Sequence, residues 1–374
     1  MVVRIFVTIR HNELELQRII AQIREKDFPY TPREDKKINW RAYDKAQYRE
    51  IAETLDFIRE VVNVAEERIA ARTPQKQNPK VGRPEEIPAS DVLKVLLMQT
   101  YFGESNRVAE GLQILFSDRL GLRTQFSYKT IERGFDDPDV NELMEEARVL
   151  TNEPVKNLEK TFAVDGTGHP VSSKQNYASD RNIQNKTRGL QTRTDAFPSS
   201  EKPYVSSVGV IGVKYKLYAS WSCATRKEVG ERSMFGGVFE DAVDLHPGME
   251  YLLGDGLYAN RPTCKTVGDA GVTPVFLPAR NVTMKKKGVK YWVSMLSWIH
   301  DDPQEFLRVY HERSISETGY SMDKRFFPKP VSKRLAVRKE TAANLRYLCH
   351  NLRQLVYIKF LCEEVNVTFS NHAK

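Results

Sequence analysis

No apolar run in this chain of 374 residues is long enough to cross a bilayer; the longest, near Val92 to Met98, is broken by Lys94. The four cysteines (Cys223, Cys264, Cys349 and Cys362) form no C-x-x-C pair. That spacing suggests neither a zinc ribbon nor a disulfide framework, so free thiols in a reducing cytosol are expected. The seven histidines are scattered, none at H-E-x-x-H spacing. No Gly-rich loop follows a first strand, which makes a methyltransferase a poor match. The sequence holds no internal repeat, and the opening MVVRIFVTIRHN has no signal-peptide cleavage region.

A hydrophobic content of 40% and a charged content of 28% are those of an ordinary globular protein of two or three domains. The net charge of +8 is modest, so its placement matters more than its size. Helical periodicity appears first at 13–25, with Leu16, Ile19, Ile20 and Ile23 on one face. A longer stripe follows from Ile51 through Leu55, Ile58, Val62 and Ala65 to Ile69. These two helices are expected to pack on each other and to form an N-terminal region, 1–72. Residues 73–89 are rich in Pro and polar side chains and read as a linker.

The segment 90–155 reads as a third unit. Ser90 is a candidate N-cap, Gly103 a helix end, and further helices are expected near 105–116 and from 127. Three short helices with Gly-marked turns fit a helix-turn-helix-like DNA-binding module, with Lys129 and Arg133 as its readers; they also fit any small bundle. From 160 the pattern changes to strands: TFAV, SSVGVIGV, YKLYASWSC, EYLLG and TPVFLP. Helices are expected at GERSMFGGVFEDAV, at PTCKTVGDAG, around Glu317, and from 340 to 363. Residues 171–203 are polar and aperiodic, and read as a surface loop.

Two acids stand at the ends of apolar runs and are followed by Gly: Asp165 in FAVDGTG and Asp255 in YLLGDGLYAN. Strand ends of an α/β sheet are where functional groups are exposed. A third stretch, YHERSISETGYSMDK, places Tyr310, Arg313, Glu317 and Lys324 on one stripe if a single helix runs through it.

Tyr310-x2-Arg313-x3-Glu317-x6-Lys324 resembles the Y-R-E-K signature of prokaryotic insertion-sequence transposases of the DDE class. The stretches around Asp165 and Asp255 resemble that family's first two acid motifs, so the likeness covers roughly 160–360. It implies a ribonuclease H-like α/β catalytic domain over 160–365, a mixed sheet flanked by helices, preceded by an all-α N-terminal region. In that fold the first and fourth strands are neighbours, which would bring Asp165 and Asp255 face to face.

Three clustered carboxylates repel one another unless a cation joins them. An oxygen-only ligand set selects Mg2+, with Mn2+ able to substitute, and such sites hold two ions for phosphodiester chemistry. Asp165 is expected to bridge both ions, with Asp255 and Glu317 each favouring one. By resemblance Arg313 and Lys324 contact DNA phosphates and Tyr310 positions a strand. Between 324 and 339 the chain carries Lys324, Arg325, Lys329, Lys333, Arg334, Arg338 and Lys339 with no acid, a basic run suited to phosphate contacts. The expected partners are the element ends and target DNA, with a homodimer or higher multimer assembled on them.

The chain departs from some members of that family between Asp255 and Glu317. It has room there for a strand, a basic piece and a helix, but not for a large β-rich insertion. Two other readings stay open: a transposase-derived DNA-binding protein without catalysis, and a nuclease without strand transfer.

Overall fold

The computed structural model describes residues 2–31, 38–72, 87–172 and 201–369. Most of the expected linker, and the cations of the expected loop (Lys174, Arg181, Lys186, Arg188 and Arg193), lie outside them.

Five strands form one sheet: β1 (Thr161–Pro170), β2 (Glu201–Gly212), β3 (Tyr218–Arg226), β4 (Tyr251–Gly254) and β5 (Thr273–Phe276). Their spatial order is β3-β2-β1-β4-β5. The first three are antiparallel neighbours, whereas β1–β4 and β4–β5 are parallel. The apolar runs FAV and YLLG pair directly, with Val164 opposite Gly254. The neighbouring of the first and fourth strands, implied by the resemblance, is therefore present.

Asp165 is not at the end of its strand. Pairing of β1 with β4 stops at Val164, but pairing with β2 continues to Pro170, so Asp165 sits mid-strand where one partner has run out. The crossover from β3 to β4 is α7 (Glu231–Leu245), and α8 (Arg261–Asp269) joins β4 to β5.

The helices before the sheet are α1 (Val2–Glu25), α2 (Trp40–Arg72), α3 (Ala89–Phe102), α4 (Asn106–Leu120), α5 (Tyr128–Gly134) and α6 (Pro138–Asn152). After it come α9 (Lys290–Asp301), α10 (Pro303–Tyr310), α11 (Ser314–Phe326) and α12 (Ala336–Leu361). Within α12 the stripe Leu345, Leu348, Leu352, Leu355 and Val356 is fully buried, as its periodicity requires.

The first two helices do not form the expected pair. The main neighbours of α2 are α12, α6 and α3, whereas α1 lies on α9. Polar groups explain the choice. Glu50 and Glu53 of α2 meet Arg353 at 2.9 Å and Lys359 at 2.7 Å on α12. Glu13, Gln17 and Arg24 of α1 bond the backbone between 277 and 284. Ile51, expected in the apolar stripe, is 52% exposed, and Phe57 and Val61 are buried instead.

Ser90 is not the cap of α3. It is buried inside the first turn, and its hydroxyl donates to Glu66 at 2.8 Å. Gly103 does end that helix, in the left-handed region (φ 66°). Lys94, which interrupts the apolar run, is buried within 3.5 Å of Asp91 and donates to the Gly121 carbonyl at 3.3 Å.

Candidate active site

The acid stretch does not fold as one helix. α10 ends at Tyr310, a 3₁₀ turn carries His311–Arg313, and α11 starts at Ser314. A 3₁₀ turn thus interrupts the helix that would carry Tyr310, Arg313, Glu317 and Lys324. The turn nevertheless keeps three of them together. Arg313 donates to Glu317 at 2.7 Å and lies 5.8 Å from the Tyr310 ring centre. Lys324 is exposed in the last turn of α11.

α11 lies over β1 and is fastened to Asp165 at two points. Ser316 Oγ donates to the Asp165 carboxylate at 3.4 Å, and Tyr320 Oη donates to the Asp165 carbonyl at 2.8 Å. Glu317, the residue after Ser316, is exposed. Asp255 follows β4 directly, and its carboxylate accepts from the Leu257 N–H at 2.7 Å, which shapes the turn after the strand.

Burial raises the proton affinity of Asp165 above the ordinary carboxylate range, and the charges of Asp255 and Glu317 add to the shift. The Gly166 N–H and Arg313 oppose it without reversing it. Arg313 is half-buried at a cost, yet Tyr310, Glu317 and Asp165 together hold its proton affinity above normal. The three acids separated in sequence thus share one electrostatic field.

A fourth carboxylate belongs to that field. Glu231, the first residue of α7, accepts from Tyr258 Oη at 2.7 Å. Burial raises its proton affinity, and Asp165 and Asp255 add to the effect. Its approach depends on Gly166, where a Cβ would stand 2.5 Å from the Glu231 carboxyl carbon. Sequence reasoning missed this residue, because an acid in the first turn of a helix is ordinary complement to the helix dipole. Arg24 of α1 was missed as well. It donates to the Pro278 and Leu277 carbonyls at 2.8 and 3.1 Å, and would lie 3.2 Å from a Cβ on Gly256, beside Asp255.

The expected DNA-contacting cations have different fates. Lys129 and Arg133 are exposed one turn apart on α5, and Arg325 and Arg334 are exposed too. Lys329 faces Glu104 at 3.6 Å. Lys333 is tied down inside the protein: it meets Glu132 at 3.2 Å and lies 3.6 Å from the Phe135 ring centre, and burial lowers its proton affinity.

No family model matches this chain, and no solved structure matches it. Over 342 residues it is 27% identical to a probable transposase for an insertion sequence element from Archaeoglobus fulgidus. The alignment covers 90% of this chain and 92% of the relative.

The chain is a relative of insertion-sequence transposases.

Oxygen donors of the kind these acids carry would suit a hard divalent ion. Among the described residues, however, no three His, Cys, Asp or Glu side chains stand close enough to make a ready-formed metal cage. Glu317 is engaged by Arg313 instead. All four cysteines are free, and no helix among the described residues is long and apolar enough to cross a membrane.

Proposed function

We propose that this chain is a DNA transposase of the DDE class, with a ribonuclease H-like catalytic domain, that cuts phosphodiester bonds at the ends of an insertion sequence and joins them to target DNA. The observation that carries the reading is the convergence on Asp165: β4 brings Asp255 beside it, and α11 brings Glu317 over it. The strand order β3-β2-β1-β4-β5, antiparallel on one side of β1 and parallel on the other, supports the fold. The relative from Archaeoglobus fulgidus supports the activity.

In this reading Asp165, Asp255 and Glu317 would hold two Mg2+ or Mn2+ ions, with Glu231 close enough to add charge to the site. Such ions supply activation of the attacking oxygen and stabilisation of the leaving oxygen. The protein's own groups do the rest. The raised proton affinity of Asp165 makes ion binding compete with protons, so binding strengthens as pH rises through the carboxylate range. Ser316 and Tyr320 fix Asp165 by hydrogen bonds at both its carboxylate and its carbonyl. Arg313 guards Glu317 until a ligand draws it away, and its guanidinium is then free to grip a phosphate. Lys324, farther along the same helix, adds a point charge for the strand, and Tyr310 backs Arg313.

The test is a reaction of the full chain with labelled element-end DNA, identified from inverted repeats flanking the gene, in Mg2+ or Mn2+. Nicked and joined products are expected. Asp165→Ala, Asp255→Ala and Glu317→Ala should each abolish both products while leaving DNA binding intact. Near-normal turnover by Glu317→Gln would remove Glu317 from the site.

A further inference from the structure

A cavity of about 1260 Å³ opens between the helical half of the chain and the segment after α11. One wall is the end of α3, the start of α4 and one face of α5. The other is 326–334 with the first turns of α12. Eight of its lining side chains are Lys or Arg and two are carboxylates, Glu104 and Glu132.

Both acids are already claimed. Glu132 holds Lys333 at 3.2 Å and Arg338 at 2.9 Å, and Glu104 faces Lys329. Lys129, Arg133 and Arg334 are exposed, and among the described residues none of the three has a carboxylate partner. A concave surface with this excess of cations attracts a polyanion.

We propose that this cavity is the groove for the sugar-phosphate backbone of the DNA strand leaving the carboxylate site, gripped between α5 and the segment 327–334. The assignment rests on the reading of the carboxylates given above, and adds where the strand goes. Glu317 is near the start of α11, and Phe326 at its end lines the cavity. Nine helical residues span about 13 Å, or roughly four phosphates at 3.4 Å per nucleotide of one strand. Two basic clusters, one before the sheet and one after it, thus make a single track.

The aromatic residues of the cavity decide between a grip on backbone and a grip on bases. Their faces are taken by the protein's own cations: Lys333 lies over Phe135, Arg107 over Tyr128 at 5.1 Å, and Arg353 over Phe326 at 4.3 Å. Phe102 is stacked on Phe116. These rings offer no open platform for base stacking, so the groove reads charge and not sequence.

The experiment measures binding of the full chain to a labelled duplex of about 30 base pairs and arbitrary sequence, in EDTA, across a salt series. The triple variant Lys129→Gln, Arg133→Gln, Arg334→Gln should bind at least about tenfold more weakly. Its log–log salt slope should fall by roughly 2–3, near 0.9 per lost phosphate contact. Lys160→Gln with Lys265→Gln, two exposed cations outside the cavity, should leave both readings unchanged. Wild-type affinity and slope in the triple variant would overturn the groove. So would poly-glutamate displacing the duplex as well as DNA does at equal charge, because the surface would then take any polyanion. The two readings fail separately. DNA binding without metal-dependent cleavage would sink the catalytic reading and leave the groove standing. Normal cleavage and binding by the triple variant would do the reverse.

Discussion

Gly166 and Glu231 show how one small residue sets the chemistry of its neighbour. The missing Cβ lets a carboxylate come up beside Asp165; burial raises the proton affinity of both acids, and the charges of Asp165 and Asp255 add to the shift of Glu231. The sign follows directly. An acid whose proton affinity rises on folding disfavours the folded state as pH climbs through the carboxylate range, because ionisation is easier in the unfolded chain. Asp165→Asn keeps the acceptor for the Gly166 N–H and removes the charge. It should therefore raise Tm at pH 7–8 and do nothing near pH 3. Millimolar Mg2+ or Mn2+ should raise the Tm of the wild-type chain but not of this variant. A metal shift that survives in Asp165→Asn would place the ion elsewhere. Glu231 should give opposite signs with two substitutions. Glu231→Ala strands the buried Tyr258 hydroxyl and should cost about 1–3 kcal/mol, whereas Glu231→Gln keeps an acceptor, removes the repulsion, and should fold at least as stably. Denaturant titration of both variants separates the outcomes. Asp165 and Asp255 could be read from the sequence because an acid and a Gly after an apolar run is a local pattern. Glu231 could not, since its role depends on a bare Cα far away in the chain.

Among the elements, the strands and the buried face of α12 follow from periodicity alone, while the partners of the helices do not. The stripe on α2 fits any apolar face; Glu50 selects α12. Its carboxylate is buried at a cost, but Arg353 and the Tyr357 and Tyr101 hydroxyls together hold its proton affinity below normal. A carboxylate lowered in this way stabilises the fold above the carboxylate range and loses that contribution as pH falls through it. Arg353→Ala should cost about 1–3 kcal/mol at pH 7, and the gap from the wild type should narrow as pH drops toward 3. An unchanged Tm at pH 7 would mean that the apolar contacts alone hold the two helices. The break at Tyr310 was also beyond periodicity. Charged residues at helical spacing fit an unbroken helix equally well, so the 3₁₀ turn at His311–Arg313 leaves no mark in that spacing. A linker at 73–89 would let the chain after it fold alone. The position of α2 points the other way: a chain starting at Ile87 leaves the faces of α12, α6 and α3 that meet α2 uncovered. Such a fragment should aggregate, or show broad, non-cooperative thermal melting, where the full chain melts cooperatively.

At the level of the whole molecule, the carboxylates come from the sheet and the helices that follow its strands, whereas the basic groove joins the helices before the sheet to the segment after α11. The adjacency of β1 and β4 was implied by the family resemblance; the groove was not legible, because its two walls lie some two hundred positions apart. The embrace of α2 by α12 also has a consequence for synthesis. A ribosome adding about 5–20 residues per second completes α12 roughly 15–60 s after α2. Throughout that interval the apolar face of α2, with Leu55, Ile58 and Val62, has no α12 to lie against. The nascent chain should be a client for chaperones during this window, and ribosome-bound chains stalled before α12 should remain protease-sensitive through α2 and unable to cleave DNA. Competence would then arrive abruptly, late in translation.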